Sequence, residues 1–392
     1  MPPGAGFVCL RELGRSAGCC ASRRMIKPRV LLLSAYEAGS HRHWREQLEQ
    51  GLEDFEWQVL SLPPRHFAWR VRGNPLYWSI SERERLEAGY DLILATSMVD
   101  IATLRGLVPA LAAIPTIVYF HENQFAYPDN QGRHGLLEPQ MVSLYAALAA
   151  DRLVFNSAFN MNTFLHGCDQ MLGRFPDRVP AGIPNLLAAK SEVLAVPLRF
   201  DAVRQPIDAA VTEPLQIVWN HRWEYDKGPA ELLQIAQTLV QRNVSFVLHV
   251  VGQQFRQCPA EFEALRALLE QNDARGQWGF IEQRSDYVRL LQSSQIVLST
   301  ALHDFQGISM LEACAAGCTP VAPARVVYPE WIPAELLYRD NEAAVELLAD
   351  LALRHTVSQT LPRVDVSAYS ATRLLSRYRH LMHSQIPANS VS

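Results

Sequence analysis

The sequence predicts an α/β protein made of two doubly wound, Rossmann-like domains that face each other across a cleft. Short apolar runs alternate with longer helical patterns, and they do so in two successive series. Most of these runs are continuously apolar rather than alternating, the mark of parallel strands covered by helices on both faces. A proline-rich stretch separates the two series, and 392 residues exceed what one ordinary core organises.

Residues 1–27 are expected to form a disordered extension. Met1 to Arg24 is rich in Gly, Ala and Arg without periodicity, and Met25-Ile26-Lys27-Pro28 reads like a fresh start before the first strand. The N-terminal, acceptor-side domain is expected over 28–200. Its strands are Val30 to Ser34, Trp57 to Leu60, Leu92 to Thr96, Thr116 to Phe120 and Leu153 to Phe155. From Arg174 to Pro214, prolines at 176, 180, 184, 197, 206 and 214 resist a long regular element, so the boundary falls around 200–214. The C-terminal domain, over 211–366, contributes Leu215 to Asn220, Phe246 to Val251, Gln277 to Ile281, Ile296 to Thr300 and Thr319 to Ala322. A helix over 367–385, with apolar spacing at Tyr369, Leu374, Leu375, Tyr378 and Leu381, is expected to cross back to the first domain.

Composition narrows the function. With 48% hydrophobic and 19% charged residues the chain is globular, and a net charge of −4 gives no overall bias toward nucleic acid. No apolar run reaches the roughly 18 residues of a membrane helix, and Met1 to Arg24 lacks a secretory h-region. A cytoplasmic protein without a membrane partner is expected. The seven cysteines form no Cys-x-x-Cys pair, which supports neither a disulfide framework nor a zinc knuckle. Cys314 and Cys318 read as small buried residues.

The most informative stretch is Asp304-Phe305-Gln306-Gly307-Ile308-Ser309-Met310-Leu311-Glu312-Ala313. A strand, a glycine turn and a helix opening at Ile308 form an anion site, because the helix N-terminus carries roughly +0.5 charge and free N–H groups. Asp304 and Glu312 flank that turn, positioned to accept from a sugar and a ribose, which is how a nucleotide-sugar is held. Arg222 and Lys227, in Trp219-Asn220-His221-Arg222-Trp223-Glu224-Tyr225-Asp226-Lys227-Gly228-Pro229, can neutralise a departing diphosphate in place of a metal. Alone, these cations equally suit ion pairs with Glu224 and Asp226 on a solvated turn. There is no Asp-x-Asp pair for a divalent ion and no phosphate loop of the Gly-x-x-x-x-Gly-Lys-Ser/Thr type. No metal and no cofactor are expected.

In the first domain, Gly39 and Ser40 of Ala38-Gly39-Ser40-His41 allow close approach of the donor, although a plain tight turn accounts for them as well. His121, in Phe120-His121-Glu122-Asn123-Gln124, is placed to bond a sugar hydroxyl or position the acceptor, or else to cap the next helix. Asn156-Ser157 reads as an N-cap. Arg65, Trp69, Arg70 and Arg72 interleave cations with aromatics before Tyr77-Trp78, a pattern that stacks on unpaired bases and meets phosphates. Trp69 and Trp78 as core residues beside a solvated basic strip is the competing account.

Together these segments resemble the retaining glycosyltransferases of the GT-B fold, similar to glycosyltransferase family 4, whose members carry a glycine-rich first loop, an Arg and Lys after the first strand of the second domain, and a Glu-x7-Glu segment. Here the last motif begins with Asp304. Within that superfamily the chain looks most like the tRNA-queuosine mannosyltransferases. That likeness rests on Ala38 to His41, Phe67-Ala68-Trp69-Arg70, Tyr119 to Gln124, Phe155-Asn156-Ser157-Ala158-Phe159-Asn160-Met161, His221 to Lys227 and Met310-Leu311-Glu312-Ala313. The resemblance covers about 28–340. It implies transfer of mannose from GDP-mannose, with retention, to queuosine at the wobble position of tRNA for aspartate, so that a nucleotide-sugar and the anticodon loop of that tRNA are the partners. Two other readings compete: a mannosyl- or glucosyltransferase for a lipid or polysaccharide acceptor, and a catalytically silent RNA-binding protein. The oligomeric state is not legible in the sequence.

Overall fold

A computed structural model describes residues 27–126, 137–200, 214–255 and 258–387. The extension expected at 1–27 lies almost wholly outside the described residues.

Two six-stranded parallel sheets organise the chain. The first contains β1 (Arg29–Ser34), β2 (Glu56–Ser61), β3 (Leu92–Thr96), β4 (Thr116–Phe120), β5 (Arg152–Phe155) and β6 (Ser191–Val193), in the order β2-β1-β3-β4-β5-β6. The helices between them are α1 (Gly39–Gly51), α2 (Phe67–Ser81), α3 (Arg83–Leu86), α4 (Ile101–Leu107), α5 (Leu137–Ala149), α6 (Ala158–Leu172) and α7 (Ile183–Ala188). The second sheet contains β7 (Leu215–Trp219), β8 (Phe246–Val251), β9 (Arg275–Gly279), β10 (Ile296–Leu298), β11 (Thr319–Pro323) and β12 (Leu337–Tyr338), in the order β12-β11-β10-β7-β8-β9. Its helices are α8 (Pro229–Gln241), α9 (Glu261–Gln271), α10 (Arg284–Ser293), α11 (Ile308–Ala315) and α12 (Asn341–Thr356), followed by α13 (Ala371–Gln385).

The apolar runs explain the parallel pairing. Leu31, Leu32 and Leu33 of β1 are fully buried between β2 and β3, as only a strand with helices on both faces can be. The sheets also hold two strands the sequence reading did not name, β6 and β12, and β9 starts two residues before the expected Gln277. The proline-rich segment still yields α7 and the three-residue β6, because Leu153, Val154 and Phe155 of β5 offer an edge for Ser191, Glu192 and Val193. The basic strip after Arg65 is the start of α2, which buries one side and leaves the other in water.

In an open α/β sheet, ligands bind beyond the strand carboxyl ends where the strand order reverses. In the second sheet that point lies between β7 and β10, and in the first between β1 and β3. The chain then returns to the first domain. Leu198 N–H donates to Tyr369 O at 2.9 Å and Ala371 N–H to Leu198 O at 2.7 Å, which aims α13 along α1. There Trp44 Nε1 donates to Tyr378 Oη at 3.0 Å, and Tyr378 Oη donates to Ala195 O at 3.1 Å. One hydrophobic cluster consequently includes Val30 and Trp44 of the first domain, Val218 and Leu311 of the second, and Leu374 of α13.

Candidate active site

β7 delivers Asn220, His221 and Arg222 to the reversal point, and a short 3-10 turn over Tyr225–Lys227 bends the chain back toward β10. Gly228 makes the bend possible. Its φ is +67°, and a Cβ there would lie 2.1 Å from the carbonyl oxygen of Thr300. That approach carries Lys227 beneath the loop after β10, where Nζ donates to His303 O at 2.6 Å. Lys227 Nζ also lies 3.3 Å from Asp226 and 3.8 Å from Asp304.

Asp304 caps the turn that opens α11. Its Oδ1 accepts from Gly307 N–H at 2.9 Å and its Oδ2 from Tyr328 Oη at 3.1 Å. Burial alone would raise its pKa, but Lys227, the neighbouring His221, the Gly307 amide and the Tyr328 hydroxyl outweigh burial and hold it at about 2. Gly307 has φ +73°, and a Cβ there would press on the Tyr328 ring at 3.1 Å. With glycine present, the N-terminus of α11 starting at Ile308 stays open.

Arg222 is half-exposed and pairs with Glu224 at 2.6 Å and Asp226 at 3.8 Å, the arrangement of a solvated turn, in the loop that follows β7. Glu312, one side of α11 further on, is gripped by Arg284 at 2.6 Å. Asp304, Lys227, Arg222, Gly307, Ile308 and Glu312 thus surround one end of the second sheet.

Across from them, Gly39 and Ser40 begin α1 at the end of β1 and are both exposed. His121, just past β4, is buried and caps no helix; its ring lies 4.0 Å from that of His41, with Trp44 and Tyr119 around it. Neither His41 ring nitrogen nor His121 Nε2 has a hydrogen-bond partner among the described residues. Burial lowers both imidazoles, His41 to about 4 and His121 well below the ordinary range, so both rings are neutral. Ser157 caps α6, accepting from Asn160 N–H at 3.0 Å. Tyr36 links the two sides electrically: burial, Glu122 and Glu224 raise its pKa while Arg222 lowers it.

The four basic and aromatic residues separate in the structure. Arg65 and Trp69 are exposed, Arg70 is half-buried, and Arg72 is paired to Asp100 at 2.9 Å and Glu138 at 3.1 Å. Trp78 is core at 1% exposure, whereas Trp69 at 56% lies over Gly73 with a face in solvent. Sequence reasoning singled out neither Tyr36, Arg284, Tyr287 nor Tyr328. The signal available for Arg284 was its place just beyond β9, among the carboxyl-end loops.

Among the described residues no cluster of three or more His, Cys, Asp or Glu side chains is arranged to hold a metal ion, and no helix is long and apolar enough to cross a membrane.

Two facing parallel sheets, with a glycine turn, Arg222 and Lys227 at the reversal point of the second, define a GT-B glycosyltransferase architecture. Solved structures share it: the lipopolysaccharide outer core galactosyltransferase WaaB at TM-score 0.60, with 11% identity over 91% of this chain and 99% of that one. HepE of Anabaena, crystallised with UDP and glucose, matches at TM-score 0.56 with 15% identity over 93% and 97%. Residues 29–198 match the family model described as tRNA-queuosine alpha-mannosyltransferase N-terminal, and 204–349 match that of glycosyl transferases group 1. The tRNA-queuosine alpha-mannosyltransferase of Drosophila melanogaster is 32% identical over 374 residues, 92% of this chain and 98% of that protein. The chain belongs to the tRNA-queuosine alpha-mannosyltransferase family.

Proposed function

We propose that this protein transfers mannose from GDP-mannose to the queuosine of tRNA for aspartate, with retention at the anomeric carbon and without a metal or cofactor, in the cytoplasm. Family membership supports the acceptor, since the Drosophila relative bears that activity in its name. The observation that carries the chemistry is the meeting of Lys227, Asp304 and the Gly307 turn, with Nζ 3.8 Å from the Asp304 carboxylate.

In this reading the donor diphosphate lies against the Gly307–Ile308 amides between Arg222 and Lys227, with Glu312 on the ribose and Asp304 on the sugar. Gly39 and Ser40 approach the donor from the first domain, and His121 meets the sugar. As the bond from the anomeric carbon to the phosphate oxygen breaks, charge grows on the leaving GDP and the two cations stabilise it more than in the ground state. The acceptor hydroxyl forms its bond to the same face of that carbon. Its proton passes to the departing phosphate oxygen, so no protein base is required. Arg65, Trp69 and Arg70 supply cations and a stacking surface for the anticodon loop, with Arg72 at its border. The exposure of both Trp69 and Arg65 in one segment favours RNA over a lipid or polysaccharide acceptor.

The test is incubation with queuosine-containing tRNA and, separately, GDP-mannose, GDP-glucose or UDP-glucose, followed by mass analysis of the digested nucleosides. A hexose added to queuosine only with GDP-mannose is expected. Donor binding or hydrolysis with no product on tRNA would move the acceptor to a lipid or glycan. Absence of donor binding would leave an RNA-binding protein.

A further inference from the structure

Two residues of α10 determine where the Glu312 carboxylate points. Arg284 Nη2 donates to Glu312 Oε1 at 2.6 Å while Nη1 reaches Oε2 at 3.4 Å. A planar fork on a carboxylate fixes its plane as well as its position, which a lysine ammonium does not. Tyr287 Oη donates toward Glu312 Oε2 at 3.4 Å and accepts from Asn220 Nδ2 at 2.9 Å. The same Asn220 amide donates to Ser309 O at 2.8 Å. Asn220 follows β7 and Ser309 lies in the first turn of α11, so this chain of bonds joins β7, α10 and α11 at the donor turn. The Arg284 guanidinium also lies 5.1 Å from the centroid of the Tyr287 ring, which supports it from one side.

The distances differ in a useful way. Oε1 is held by the short bond, whereas Oε2 has, among the described residues, two contacts at 3.4 Å. Two long contacts yield readily to the hydroxyls of a vicinal diol, and the short bond keeps the carboxylate in place while they do. An isolated ion pair at the surface adds little to stability. Orientation of Glu312 explains why two side chains of α10 converge on it.

We propose that Arg284 and Tyr287 are positioning residues for Glu312, setting affinity for nucleoside diphosphates that carry an intact ribose diol. The proposal rests on the reading of Glu312 as the ribose acceptor. Titration calorimetry of the full chain tests it, using GDP and 2′,3′-dideoxy-GDP as probes, with Arg284→Ala and Arg284→Lys compared with the wild type. GDP is expected to bind the wild type more tightly than the dideoxy nucleotide. Arg284→Ala is expected to weaken GDP roughly 10- to 100-fold, the loss of a charge-assisted bond, and to leave the dideoxy nucleotide nearly unchanged. Arg284→Lys recovers part of the loss. In turnover, KM for the donor rises while kcat changes little.

An equal loss for both nucleotides, or no loss for GDP, overturns the positioning role even with the donor site intact. Equal binding of the two nucleotides by the wild type overturns the ribose reading of Glu312 and the proposal with it. Melting curves of each variant show whether a loss reflects misfolding, in which case Arg284→Lys, which keeps the charge and the stem, decides the matter.

Discussion

Lys227 combines burial, charge and contact with the loop after β10, so its removal separates chemistry from binding. Its Nζ reaches His303 O at 2.6 Å and stands beside Asp226 and Asp304. A cation held in advance where charge develops needs no reorganisation during the reaction. Lys227→Ala should lower kcat by roughly 10²- to 10³-fold, with a smaller effect on donor affinity. Single-turnover measurements with saturating GDP-mannose check this; near-normal turnover would remove the charge-neutralising role. Arg222, Lys227, Asp304, Gly307 and Glu312 were legible in the sequence because each lies in a compact string at a strand end, where residue type alone suggests chemistry. Tyr328 was not, since its part depends on Asp304 lying 24 positions away in sequence. Arg284 likewise acts on Glu312 across 28 positions. Trp78 stayed open between core and stacking surface for the opposite reason: an aromatic beside arginines looks available until the helix turns it inward.

At the scale of elements, the carboxyl ends of the strands gather buried histidines. The buried His41 opens α1, His121 follows β4, His221 follows β7 and His303 follows β10, while the half-buried His249 lies within β8. Burial is the first cause in each case and lowers His41, His221, His249 and His303 to about 4. An unfolded histidine titrates near 6.5, so between those values the unfolded chain binds more protons than the folded one. Stability is then complete above about pH 6.5 and falls as pH drops toward 4, by about 1.4 kcal/mol per pH unit for each such ring. Urea melts at pH 7.5, 6 and 5 should show the midpoint shifting steadily downward. A midpoint unchanged to pH 5 would mean these rings protonate freely in the native state. The strands that create this environment were visible as apolar runs, but which histidines they would enclose was not. Burial of a polar ring follows from how helices cover a sheet, and the sequence around His41 carries no sign of its contact with His121.

Among the described residues, three contacts that differ in kind fasten the parts of the molecule together. α13 binds the first domain through the buried Trp44–Tyr378 bond. Gln306, inside the turn before α11, reads the backbone of the linker: its Oε1 accepts from Val196 N–H at 2.9 Å and its Nε2 donates to Val196 O at 3.1 Å. Glu330 reaches across to the start of α6, where its carboxylate accepts from Ala158 N–H at 3.1 Å and Phe159 N–H at 2.5 Å. The first two bonds are buried, and the third is exposed. A buried amide left unpaired costs about 1–3 kcal/mol, whereas an exposed charge at a helix N-terminus contributes about 0.3–1 kcal/mol and is screened by salt. Gln306→Ala should therefore destabilise the protein by about 1–3 kcal/mol independently of salt, because both polar groups of Val196 lose their partner. It should also weaken donor binding, since the same side chain holds the turn that carries Asp304 and Gly307. Glu330→Ala should cost less than about 1 kcal/mol, and that difference should shrink as sodium chloride rises from 0.05 M to roughly 0.5 M. Denaturant melts of both variants at the two salt concentrations, with hydrogen exchange at the Val196 and Phe159 amides, separate these cases. If Glu330→Ala proved the more damaging at high salt, the domains would be held together chiefly at α6, and the donor turn would bind its ligand without fixing the angle of the cleft.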